Sequence, residues 1–227
     1  MITAEEGAAR LEALDSEDTP LEAGGDVRQV RVISRFGTTD VIGDASVAVA
    51  VADGPHQARQ EGDTMVIEQS LATDRASFEF TRPTGRSMLN GFDLGRRLTI
   101  RMNPALPLIA GVQAGNLRIE GMRGPVTSDV QAGNCRVDGF RGPIKVSVAA
   151  GNVTASGRLE SGVSTIRCEM GSVKVSLEKS SSVRINAHTT MGKIAIEGDA
   201  IKDGVLGSGA GTLDIECTMG NVRVGVD

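Results

Sequence analysis

Aromatic side chains are nearly missing from this sequence: its 227 residues include five Phe and neither Trp nor Tyr. Set beside 29 glycines, that scarcity fits repeated tight turns around thin layers of small side chains. Excess charge is missing too, and a net charge of −5 leaves no electrostatic footprint for nucleic acid. The basic spots at Arg82, Arg86, Arg96 and Arg97 stand beside Gly and Pro, where arginine ordinarily serves solvation. The first ten residues carry no apolar run, so neither a secretory leader nor a membrane span is expected, and the expected location is cytoplasmic. Histidine is scarce as well. His56 and His188 lie far apart in sequence without Cys or acidic partners at ligand spacing, so no metal and no cofactor is expected.

What the chain has in quantity is a repeat. The segment Val-Gln-Ala-Gly-Asn-Leu-Arg-Ile-Glu-Gly at 112–121 returns as Val-Gln-Ala-Gly-Asn-Cys-Arg-Val-Asp-Gly at 130–139, then more loosely at 148–157, 168–177, 189–198 and from 217 onward. The central glycines, Gly115, Gly133, Gly151, Gly171, Gly192 and Gly220, are 18, 18, 20, 21 and 28 residues apart. Self-similarity at this period marks a chain that stacks one short unit on the next. Counted from each glycine, positions −3, −1, +2 and +4 are apolar almost throughout, while −2, +1, +3 and +5 are mostly polar. Such alternation is the period of a strand with one face turned inward. A second apolar pair stands at −7 and −5, as in Leu108 and Ala110 or Leu213 and Ile215. Bends such as Gly-Met-Arg-Gly-Pro at 121–125 separate the strands.

One unit alone buries too little to hold its own backbone. The units are therefore expected to stack in register as an all-β, single-stranded parallel β-helix or β-solenoid. The apolar positions do not recur every six residues, which favours the right-handed form over a left-handed hexapeptide helix. Cys135, Cys168 and Cys217 occupy inward positions filled elsewhere by Val, Leu or Thr, which makes them small core residues. Cys168 and Cys217 share the −3 position two units apart, about 10 Å at the usual strand spacing and beyond the reach of a disulfide.

Ahead of the repeat, Thr3 and Glu6 form a capping box before Ala8, Leu11 and Leu14, so residues 1–15 read as a short helix. An acidic, turn-rich linker follows to residue 26, and one β domain is expected over residues 27–227. Val30, Val32, Phe36 and Val41 around Gly37, then Val47, Val49 and Val51, then Met65 and Ile67, then Phe78 and Phe80 read as degenerate early units. Residues 81–97, with Pro83, Gly85, Gly91 and Gly95, read as an irregular protruding loop. Residues 198–211 read as an insertion or a partial turn. The last unit runs out at Val222-Arg-Val-Gly-Val-Asp with no polar cap, so its edge is expected to be open to pairing.

Three features together carry a family resemblance. They are the Gly-Asn-Val/Leu-x-Val/Ile-x-Gly units, the segment Leu-Thr-Ile-Arg-Met-Asn-Pro at 98–104, and the closing Gly-Ser-Gly-Ala-Gly-Thr-Leu-Asp-Ile-Glu-Cys-Thr-Met-Gly-Asn-Val-Arg-Val at 207–224. Over residues 27–227 the chain resembles the bacterial putative-adhesin, or toastrack, domain family. That resemblance implies a β-solenoid, often encoded near envelope-stress systems, with no catalytic residues to carry over.

The repeat aligns Arg118, Arg136, Lys174 and Arg223 at +3, and Glu120, Asp138 and Glu197 at +5, as neighbouring basic and acidic stripes on the outer wall. A solvated face with modest ion pairs is the plain reading, and a docking stripe for a protein partner is the functional one. Asn116, Asn134, Asn152 and Asn221 follow the glycines and are expected to support the bend by bonding neighbouring backbone. Gly-Ser-Gly-Ala-Gly at 207–211 leads into a strand, not a helix, and so lacks the setting of a phosphate loop. The expectation is a non-enzymatic interaction or structural protein that binds a protein partner or self-associates through its ends. The alternative is a carbohydrate-binding or carbohydrate-active β-helix, which needs clustered carboxylates on adjacent turns. Single charges in alternating stripes do not supply them.

Overall fold

The computed structural model describes residues 19–20, 26–69 and 97–227. The helix expected over residues 1–15 and nearly all of the expected loop at 81–97 lie outside the described residues, as do Phe78 and Phe80. Every regular element described is a strand. In order they are β1 (Thr19–Pro20), β2 (Gln29–Gly43), β3 (Ala50–Asp53), β4 (His56–Glu61), β5 (Thr64–Gln69), β6 (Arg97–Met102), β7 (Leu108–Glu120), β8 (Val126–Phe140) and β9 (Ile144–Ala150). Then come β10 (Val153–Gly157), β11 (Val163–Met170), β12 (Val173–Leu177), β13 (Val183–Met191), β14 (Ile194–Ile196), β15 (Ile201–Lys202), β16 (Val205–Leu206), β17 (Gly211–Met219) and β18 (Val222–Val226).

These strands form two long ladders. The long strands β2, β7 and β8 contribute their first halves to one and their second halves to the other. The first ladder runs β4, β5, β2, β7, β8, β9, β11, β17, β13, all parallel except β4 on β5. The second runs β1, β3, β6, β2, β7, β8, β10, β12, β18, β14, parallel from β6 onward. Both ladders turn their apolar faces to one shared core. The halves meet across it where the Ser128 hydroxyl and the Cys135 thiol lie 3.6 Å apart. Val112, Val130 and Val148 stack in register and are all buried, as the repeat requires. The pairs at −7 and −5 are buried as well, from Leu108 and Ala110 to Leu213 and Ile215.

The corner between the halves is made of glycine. Gly37, Gly115, Gly133, Gly151, Gly171, Gly220 and Gly192 form one column, all with φ between 105° and 151°. A Cβ on Gly133 would sit 1.7 Å from the carbonyl oxygen of Gly115, and one on Gly220 would sit 1.5 Å from that of Gly171. Only a residue without a side chain fits such a stack. Beside it, Asn134 Nδ2 donates to Asn116 Oδ1 at 3.0 Å and Asn152 Nδ2 to Asn134 Oδ1 at 3.1 Å. Asn152 Oδ1 accepts from the Ser172 amide and Asn221 Oδ1 from the Lys193 amide. The asparagines thus bond one another first, and reach backbone where the neighbouring unit has Ser or Lys in their place.

Three expectations need correction. The early segments are not all units of the repeat: β2 is one and β5 stacks parallel on its first half, with Met65 and Ile67 in register with Val30 and Val32, while β3 adds antiparallel to β6 and β4 antiparallel to β5. Alternation alone does not fix strand direction, which is why the sequence pattern misleads there. Within the expected linker, Thr19–Pro20 pairs with β3.

The second correction concerns order. The last segment in sequence is not last in space: β17 and β18 lie between β11 and β12 on one side and β13 and β14 on the other. Of the expected open edge at 222–227, Val222–Val224 is therefore paired on both sides, and the outer place belongs to β13 and β14. Composition explains the exchange. β17 offers Ile215 and Cys217 to the core where β13 offers Ala187 and Thr189, so the more apolar segment takes the covered place.

Third, this order makes Cys168 and Cys217 direct neighbours in register, not residues two units apart. The three thiols are free and buried. Burial pushes the Cys135 thiol up to about 11, with a small opposing effect from Ser128. Burial, then the neighbouring Cys217, pushes Cys168 up to about 11. A thiol raised in the folded state stabilises fully below its unfolded value of 9.0 and loses that contribution as pH rises through about 11. Urea midpoints should fall between pH 9 and 11, and less steeply in Cys135→Val, whose in-register neighbour Val153 shows that valine fits. Equal slopes in both proteins would contradict the assignment.

Candidate interaction surface

The outer face of the second ladder carries the charge stripes. Arg118, Arg136, Thr154, Lys174, Arg223 and Ala195 follow one another in register, so the expected basic column exists with Thr154 interrupting it. Asp40 extends it on β2 and pairs with Arg97 at 3.1 Å. In the acidic column Glu120 and Asp138 are neighbours, after which Ser156 and Ser176 take over. Glu197 lies at the far end, beside Arg223 at 3.9 Å. The charges cancel within the first two units, where Arg118 pairs with Glu120 and Arg136 with Asp138. That hydrogen bond raises the Arg136 pKa still further above its ordinary value. Lys174 makes no ion pair among the described residues, which leaves one free cation in the middle of the column. Exposed pairs of this kind contribute little to stability.

The outer face of the first ladder holds a shallow groove of about 220 Å³ near its end, lined by Arg167, His188, Asp214 and Glu216 among others. Four of its polar side chains bond one another in pairs. Arg167 Nε donates to Glu216 Oε2 at 2.9 Å, and Asn186 Nδ2 to Asp214 Oδ1 at 2.8 Å. Among the described residues no three His, Cys, Asp or Glu side chains converge to hold a metal ion.

The corner carries an apolar ridge. The side chains at −1 were expected inside, yet Met170, Met191 and Met219 are 50%, 59% and 39% exposed. The cause is the glycine that follows, whose φ turns the chain and breaks the alternation at that point. In register the ridge reads Phe36, Ala114, Ala132, Ala150, Met170, Met219, Met191.

The two ends of the stack differ. At one end β4 presents His56-Gln-Ala-Arg-Gln-Glu, polar and antiparallel, with Arg59 paired to Glu61 and Glu68. At the other end the small β15–β16 hairpin covers only the start of β13, at Val183 and Arg184, with one more bond from the Ile185 amide to Gly204. Among the described residues nothing pairs with the outer edge of β13 beyond this, or with that of β14. Ile194 and Ile196 occupy positions that are buried in every covered unit, and here they are 42% and 39% exposed.

No protein-family profile matches this sequence, and no curated protein matches it. A solved structure does. The chain is similar in fold to a protein from Clostridium sporogenes described as a putative cell adhesion protein, with a TM-score of 0.53, 14% identity, and coverage of 94% of this chain and 99% of that one. At that identity the likeness is one of fold alone. Among the described residues no helix is long and apolar enough to cross a membrane.

Sequence reasoning finds the charge columns because the register of a repeat is legible in its spacing. It misses the ridge and the open edge at β13 and β14. The available signal for the ridge is the change from Ala-Gly to Met-Gly at 170, 191 and 219, which pattern counting treats as one apolar class.

Proposed function

We propose that this chain is a β-solenoid of the toastrack type that acts as a non-enzymatic interaction module and self-associates through its open end. In-register stacking of like positions around a glycine corner supports the solenoid reading, and the shared fold with a protein described as a cell adhesion protein fits an interaction role. The observation that carries self-association is the unpaired edge of β13 and β14. The core-facing positions there are Ala187, Thr189, Ile194 and Ile196, with no inward charge and no proline of the kind that blocks edge pairing. The opposite end presents polar β4, whose exposed charged side chains do not match the apolar edge of β13 and β14, so head-to-tail growth lacks a complementary surface. Contact of open end with open end remains, which closes as a two-fold dimer. The ion-paired walls, with Lys174 free, are left as lateral surface for a protein partner.

Sedimentation velocity over a range of concentrations tests this. The chain should sediment as a dimer, and Ile194→Lys with Ile196→Lys should give a folded monomer, since both side chains already reach solvent in the single chain. A wild-type protein that stays monomeric at high concentration, or a charged variant that still dimerises, would overturn the reading.

A further inference from the structure

Three side chains on the corner ridge are methionines, and they are consecutive in the stack: Met170, Met219 and Met191. The fold does not ask for them. The same position before the same glycine is alanine in the three units above, at Ala114, Ala132 and Ala150, so the turn needs no long side chain there. By contrast Met65, Met102 and Met122 are buried in the core. The exposed three extend from neighbouring backbones about 4.8 Å apart. Each has three rotatable bonds and a polarisable sulfur, enough freedom to converge on a shared point.

The chemistry of that cluster is specific. Thioethers are soft and neutral with no proton to lose, so they favour Cu(I) or Ag(I) over hard or borderline cations. Cys168 and Cys217 lie two residues before Met170 and Met219 but inside the corner, where their thiols donate to the carbonyl oxygens of Gly151 and Gly171. They are buried beneath the backbone that carries the methionines.

We propose that Met170, Met219 and Met191 form a surface site for one soft monovalent ion, Cu(I) or Ag(I), held by their thioether sulfurs. Bound there, the ion ties together the last three units of the stack, including the inserted one. The site is complete in a single chain and does not require the dimer, although Met191 ends β13, the strand whose edge the dimer uses.

Silver is a redox-inert probe for this. Ag(I) titrated into the full chain carrying ¹³C-methyl methionine should saturate at one equivalent and shift three of the eight methyl resonances, while Zn(II) and Mg(II) shift none. Replacing all three by leucine keeps the apolar surface and should weaken Ag(I) binding by at least about tenfold. Cys168→Val with Cys217→Thr, residues already present at this register in Val148 and Thr189, should leave binding unchanged. Absence of saturable binding, full binding by the leucine variant, or loss of binding in the cysteine variant would each overturn the proposal.

Discussion

Replacing Gly133 by alanine is expected to destabilise the protein by roughly 3–5 kcal/mol, against no measurable loss for Gly111→Ala. Gly133 lies on β8 and Gly111 on the adjacent β7, and the two differ in what surrounds them. At Gly133 the added carbon meets the Gly115 carbonyl at 1.7 Å, and φ is 138°. Neither problem can be relieved alone. Moving the backbone away breaks the ladder bonds that fix Gly133 between Gly115 and Gly151, and the obstructing atom is itself backbone held by the unit above. At Gly111 nothing lies within 4 Å of the added carbon and φ is ordinary, so alanine there gains the small benefit of a stiffer unfolded chain, about 0.4–1 kcal/mol. Urea unfolding of both variants beside wild type measures this. Similar midpoints for the two would show that the glycine column is not the tight seam described.

Removing residues 211–227 is expected to have a still larger effect, and in an unexpected place. In a stack built in chain order, loss of the last segment would strip one end and leave the rest intact. Here the segment is internal, and its removal leaves β13 and β14 facing β11 and β12 across an empty layer. Leu213, Ile215, Cys217, Val222 and Val224 are all buried, and at about 1.5–3 kcal/mol per side chain their loss comes to roughly 7–15 kcal/mol. That equals the whole stability of an ordinary domain, about 5–15 kcal/mol. Hydrogen exchange should show residues 163–196 losing protection together, while β7 and β8 keep theirs or unfold with them. Unchanged protection over 183–196 would mean that β13 and β14 close onto β11 and β12 and that the inserted order is dispensable.

The extent to which this fold is legible in the sequence follows from what a repeat encodes. Spacing sets register, so the stacking of Val112 on Val130 and Val148, and of Arg118 on Arg136, can be read from an 18-residue period. Period also identifies the glycine corner. It does not encode the order in which similar units stack, because 183–196 and 211–226 carry the same pattern and each fits beside β11 and β12. The choice is made by differences the pattern ignores, Ile215 and Cys217 against Ala187 and Thr189. Two other departures come with this one: the open edge expected at 222–227 lies instead at β13 and β14, and Cys168 sits beside Cys217 and not two units away. The ridge methionines were missed for a local reason. Alternation assumes an even pleat, and a glycine with φ near 145° ends the pleat one residue early. Strand direction in the first third was illegible because a two-residue period is identical in parallel and antiparallel strands.

The most direct test of the stack is NMR detection of scalar couplings across its hydrogen bonds. The Val173 amide donates to the Asn221 carbonyl at 2.9 Å, and the Val222 amide to the Lys193 carbonyl at 2.9 Å. Coupling should therefore appear from Val173 nitrogen to the Asn221 carbonyl carbon and from Val222 nitrogen to that of Lys193. Coupling from Val173 directly to Lys193 would place the units in chain order and contradict the inserted arrangement.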